Sequence, residues 1–77
     1  MAVEVASPNQ WRPGMAKKAM EYLEAGTRLV WVIWPRWQEV YLWRVGDDAP
    51  TTLTVADELD GEDVVPGFTY PVADLFR

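Results

Sequence analysis

The sequence predicts a small α/β fold, in the order strand, helix, strand, strand, closed by a short C-terminal strand or tail, and three observations carry that prediction. The apolar run AVEVA at residues 2–6 is followed by a helix-like stretch and then by a second apolar run, LVWVI at 29–33. Strand, helix, strand in that order joins two parallel strands by a right-handed crossover. The third run, EVYLWRV at 39–45, returns after the turn WPRW at 34–37, as an antiparallel hairpin strand does. With 77 residues the chain has room for one domain, and a domain this small buries only about 60% of the surface its unfolded chain exposes.

After the first strand, Ser7-Pro8-Asn9 supplies turn and N-cap chemistry. The helix is placed at 13–25, with Pro13 suited to its first turn and Gly26 to its C-terminal stop. Ala16, Ala19, Met20 and Leu23 recur at helical spacing as one apolar face, flanked by Met15 and Tyr22, while Lys17, Glu21 and Glu24 lie on the other side. Lys17 and Glu21 are spaced to pair at i,i+4. Unbroken apolar runs such as LVWVI belong to strands covered on both faces. EVYLWRV is also apolar on both sides, Val40 and Leu42 on one and Tyr41 and Trp43 on the other. Residues 46–50 form a loop, TTLTV (51–55) a further strand, DELDGED (57–63) a solvated acidic turn, and 66–76 a Pro-broken tail that packs Phe68 and Phe76 onto the body. One helix covers one face only. The apolar excess, with five Trp, therefore predicts a symmetric dimer or larger homo-oligomer that buries Trp between chains.

Composition narrows the chemistry. There is no Cys and no His, which removes thiol chemistry, His-based triads and the usual zinc ligands. With 12 acidic and 7 basic residues the net charge is −5, the wrong sign for gripping nucleic acid by bulk charge, so any DNA contact has to be local, metal-assisted or supplied by another segment. Trp31, Trp34, Trp37 and Trp43 could stack on unpaired bases. No basic groove accompanies them in the sequence, and core or interface is their expected place. No signal peptide or membrane span is evident, so the expected compartment is the cytoplasm.

VEVASP at 3–8, the spacing Pro8, Lys18, Tyr22, Gly26, the strand and turn RLVWVIWP at 28–35 and the ending DELDGEDVVPGFTYPVADLF together resemble the C-terminal half of the Uma-two family, restriction endonucleases of the PD-(D/E)XK superfamily. The resemblance implies a restriction-endonuclease-like fragment in which residues 1–77 are the C-terminal half of the nuclease domain. The N-terminal half of the fold, with a PD-motif carboxylate, would lie upstream of Met1. It implies a Mg2+-dependent phosphodiesterase acting on DNA in the full-length parent, the isolated chain being inactive. Carboxylates hold the hard cation while a lysine neutralises charge developing on the scissile phosphate. By this likeness Glu4 is the strand carboxylate, a catalytic and metal ligand. Val5 and Ala6 stand where the superfamily's lysine follows its acid, so Lys18, reaching back from the helix, is the replacement. On a helical wheel Lys18 lies opposite the Ala16/Leu23 face, beside Tyr22 and Met15, which is also where a solvated lysine would sit. Trp34 stands where the family shows Asp before Pro. The alternative function is a non-enzymatic oligomerising or protein-interaction remnant of the same fold.

Overall fold

The computed structural model describes residues 1–77. Strand β1 (Ala2–Val5), helix α1 (Arg12–Glu24), β2 (Leu29–Trp34), β3 (Glu39–Arg44) and β4 (Thr51–Leu53) come first. They form a four-stranded sheet of order β1-β2-β3-β4. β1 runs parallel to β2, with Glu4 opposite Val32, and β3 and β4 follow antiparallel, with Ile33 opposite Val40. The crossover and the hairpin are those the sequence predicts. β5 (Glu58–Asp60) and β6 (Thr69–Pro71) pair antiparallel as a separate ribbon, and a 3-10 helix (Val72–Phe76) ends the chain.

α1 begins differently from expectation. Its N-cap is Trp11, in extended conformation and with no side-chain cap, and Pro13 sits in the first turn. Ser7–Gln10 instead forms a turn of its own, in which the Ser7 N–H donates to Gln10 Oε1 at 2.7 Å and the Gln10 N–H to the Ser7 carbonyl at 3.1 Å. At the other end Gly26 takes φ of +105°, the left-handed conformation that lets the Thr27 N–H reach back to the Tyr22 carbonyl and the Gly26 N–H to that of Leu23. The buried side of the helix runs through Met15 and Ala19, whereas Met20 is 38% exposed. The apolar residues spread over nearly half of this helix. Met15 and Ala19 enter the core against the sheet, and Ala16 and Leu23 lie partly buried at its flank. The expected Lys17–Glu21 pair is absent from the ion pairs of the structure.

The sheet is covered on both faces by this chain. On the helix side Met15 and Ala19 pack with Ala6, Val30, Val32, Trp34 and Trp43. On the other side Leu29, Trp31, Val40 and Leu42 pack against Leu59 of β5 and Val72 of the 3-10 helix, with Val64, Leu75 and Phe76 around them. The stretch 57–63 is therefore no solvated turn: it carries a strand whose single apolar residue, Leu59, is a core residue 2% exposed. The tail folds back as expected, with the Phe68 ring 5.8 Å from that of Trp31 and Phe76 at the edge of the second core. Trp31, Trp34 and Trp43 are each at most 5% exposed within the single chain, so the two-sided apolar strands find their cover without a second copy. The ribbon's tight turn depends on Gly61. A Cβ there would lie 2.3 Å from the Val65 carbonyl oxygen, and both the Val64 and Val65 N–H groups donate to the Gly61 carbonyl.

Candidate active site

β1 is an edge strand, and its alternation sends Ala2, Glu4 and Ala6 toward the helix and Val3 and Val5 to the opposite, exposed side. α1 lies over the same face, so residues one turn apart on its near side project above β1. Tyr22 and Lys18 are that pair. The Tyr22 hydroxyl donates to Glu4 Oε1 at 2.6 Å, and Lys18 Nζ stands 3.2 Å from the same oxygen. The Glu4 side chain is 20% exposed and that of Lys18 49%. Nothing in the protein donates to Glu4 Oε2. Because the helix buries its Met15/Ala19 side, the wheel position beside Tyr22 and Met15 is the position facing the strand, and the lysine that the spacing selects is the one that reaches the carboxylate.

The electrostatics follow from these contacts. The Tyr22 hydrogen bond is the largest influence on Glu4 and, together with Lys18, holds its carboxyl below the usual value of 4.5 against the opposing effect of partial burial. Donation to a carboxylate, and the charge of that carboxylate, push the Tyr22 phenol above its usual 10.0. At neutral pH the cluster is a carboxylate held by a neutral phenol and an ammonium. The sequence singles out Tyr22 only through its spacing; its place four residues after Lys18 on one helix face is the signal that ties it to the same partner.

A hard cation prefers oxygen ligands of this kind, and Glu4, part-exposed and with Oε2 free, fits one position of a Mg2+ shell. It does not make a closed site. No group of three or more Asp, Glu, His or Cys side chains comes together in the chain. Four of the five acids of 57–63 are spent on structure: Asp57 accepts the Thr54 N–H, Asp60 accepts the Glu62 N–H, Glu62 takes Arg44 in a two-oxygen grip at 2.8 and 3.0 Å, and Asp63 meets Arg28. Trp34, at the position where an Asp was the expected residue, is buried, its ring 5.0 Å from Trp37 and 5.7 Å from Tyr41.

The fold is a mixed α/β one, a four-stranded sheet crossed by one α-helix, with a carboxylate, a phenol and a lysine gathered at its edge strand. A family model, Uma2, described as "Putative restriction endonuclease", matches residues 1–73, and the chain belongs to that family. Among solved structures the chain is similar to a crystal structure from Anabaena variabilis described as "a putative nuclease belonging to DUF820", with a TM-score of 0.82 and 23% identity. The match covers 96% of this chain and 41% of that one, so the chain spans well under half the length of its structural neighbour. At that identity the likeness establishes the fold. No curated protein matches the sequence. No helix is long and apolar enough to cross a membrane.

Proposed function

We propose that the chain carries the lysine-bearing part of a Mg2+-dependent DNA endonuclease site, with Glu4 as cation ligand and Lys18 and Tyr22 as the groups that set its charge. The observation that carries this reading is the 3.2 Å approach of Lys18 to Glu4 across 14 residues of sequence, which rebuilds an acid-lysine pair that β1 alone lacks. When bound, the cation supplies charge neutralisation at the phosphate and an activated water. Glu4 presents Oε2, while the Tyr22 hydroxyl occupies Oε1 and fixes the carboxylate's rotation. Lys18, half exposed and tethered at its inner side, turns its remaining N–H donors toward a phosphate bound beside Glu4, where they stabilise charge that grows in the transition state. At least one further carboxylate has to come from beyond these 77 residues, and the chain alone cleaves DNA undetectably. The protein-interaction alternative rests on Val3 and Val5, 48% and 61% exposed on the edge strand.

Mn2+, a paramagnetic stand-in for Mg2+, tests the reading on the 77-residue chain. Amide signals of residues 3–6 broaden first in the wild type, and Glu4→Gln, which keeps the shape and the hydrogen-bond acceptor, removes that broadening. Broadening centred on 57–63 and indifferent to Glu4→Gln sinks the metal assignment and favours the interaction module.

A further inference from the structure

The chain is acidic overall, yet its free cations are not spread evenly. Four of its seven basic residues are held in ion pairs: Lys18 with Glu4, Arg28 with Asp63, Arg44 with Glu62 and Arg77 with Asp74. Of the three without one, Arg12 and Arg36 sit at the same end of the sheet, beyond the carboxyl ends of the parallel strands β1 and β2. There a cavity of about 410 Å³ opens between the Ser7–Gln10 turn and the β2–β3 turn. It is walled by Gln10, Arg36 and Trp37 among others, and no acid lines it. The Arg12 guanidinium lies 4.4 Å above the Trp37 ring and 5.8 Å from that of Tyr41, a stack that holds the charge in place. Beside it Trp11 is 70% exposed, the most exposed large apolar residue of the molecule. Its indole lies against Gly14, where a Cβ would come within 2.9 Å of Nε1. A second hollow, of about 280 Å³, is walled by Gln10, Trp11 and Lys18, so the surface is continuous from Gln10 to the Glu4–Lys18 pair. The basic, aromatic groove that the sequence does not display is thus assembled from two turns.

We infer that this surface binds single-stranded DNA, so that the substrate class of the proposed site is unpaired rather than duplex strand. Trp11 offers a free indole face to an unstacked base, which a duplex keeps stacked on its neighbours. Arg12 and Arg36 contact flanking phosphates, and the backbone leads past Gln10 to Lys18. The inference rests on the proposed function for its meaning, while the binding itself needs no metal.

A fluorescein-labelled 15-nucleotide oligothymidine, titrated in EDTA at low salt against a duplex of equal length, provides the test. The single strand binds more tightly and quenches tryptophan fluorescence. Trp11→Ala weakens binding roughly tenfold, the scale of one lost base stack. Arg36→Gln makes the plot of log K against log salt shallower by roughly 0.7, one phosphate's worth on a single strand. Gly14→Ala, which pushes the indole from its seat, weakens binding in the same sense as Trp11→Ala. Equal affinity for duplex and single strand, or binding untouched by Trp11→Ala and Arg36→Gln, overturns the inference. If Mn2+ still broadens residues 3–6 in that event, the site assignment stands and only the substrate class falls; oligothymidine bound at Trp11 with Mn2+ elsewhere has the opposite meaning.

Discussion

On one face of the sheet Leu29, Val40, Leu59 and Val72 are sealed to 2% exposure or less beneath the β5–β6 ribbon and the 3-10 helix. On the other, a 13-residue helix touches down through Met15 and Ala19 and leaves next to them a part-exposed carboxylate, a half-exposed lysine and open hollows. The ribbon face has no charged group in its core; the helix face has Glu4 at its margin. Tight packing and the charged cluster are therefore separated by the thickness of one sheet. The helix face can leave its carboxylate and lysine open to water because the ribbon seals the opposite face.

The difference can be broken from the ribbon side first. Leu59→Ala removes the one apolar anchor of β5 and costs about 2–5 kcal/mol, read as a fall in the denaturant midpoint. That is a large part of the stability of a domain this size. A cost below about 1 kcal/mol would mean that the ribbon only rests on the sheet. Gly61→Ala should follow at about 1–3 kcal/mol, since the new methyl meets backbone at Val65 and cannot be relieved by turning a side chain. Neither change should alter the Glu4–Tyr22 bond if the two faces are independent.

The sequence displays these faces unequally. β2 and β3 are legible because their apolar runs alternate correctly between the two cores, with Tyr41 and Trp43 on one side and Val40 and Leu42 on the other. The ribbon is hidden because Leu59 is a lone apolar residue among acids, and nothing local shows that those acids serve in turns and in the Arg44 grip. Its partner strand, β6, lies beyond a turn whose need for Gly61 comes from a contact with Val65 that no residue pattern encodes. In the site, Glu4 is legible as the odd residue of an apolar strand and Lys18 through its spacing from Pro8 and Gly26. The helix rotation is not: with Met15, Ala16, Ala19, Met20, Tyr22 and Leu23 all apolar, α1 leaves open which side meets the sheet, and only the sheet decides between Met15/Ala19 and Ala16/Leu23.

The smallest effects sharpen the comparison most, because they read the helix face one group at a time. Carboxyl NMR of Glu4 should give a pKa below 4.5 in the folded chain. Tyr22→Phe should raise it most, since the phenol's hydrogen bond is the leading cause, Lys18→Ala should raise it less, and Lys17→Ala should leave it alone. The sign of the stability change follows. Glu4's folded pKa lies below its unfolded one, so its contribution is present above the unfolded value and is lost as pH falls through the folded value. Tyr22's is raised, so its contribution is present below 10.0 and is lost as pH rises through the folded value. Tyr22→Phe and wild type should thus differ most in unfolding free energy between these limits, at neutral pH, and converge in acid once Glu4 is protonated in both. Lys18→Ala should cost less than about 1 kcal/mol, as expected of a pair with one half-exposed member. If Lys17→Ala and Lys18→Ala shift the Glu4 titration equally, the ion pair is not held in solution, and the lysine the site requires must come from another part of the protein.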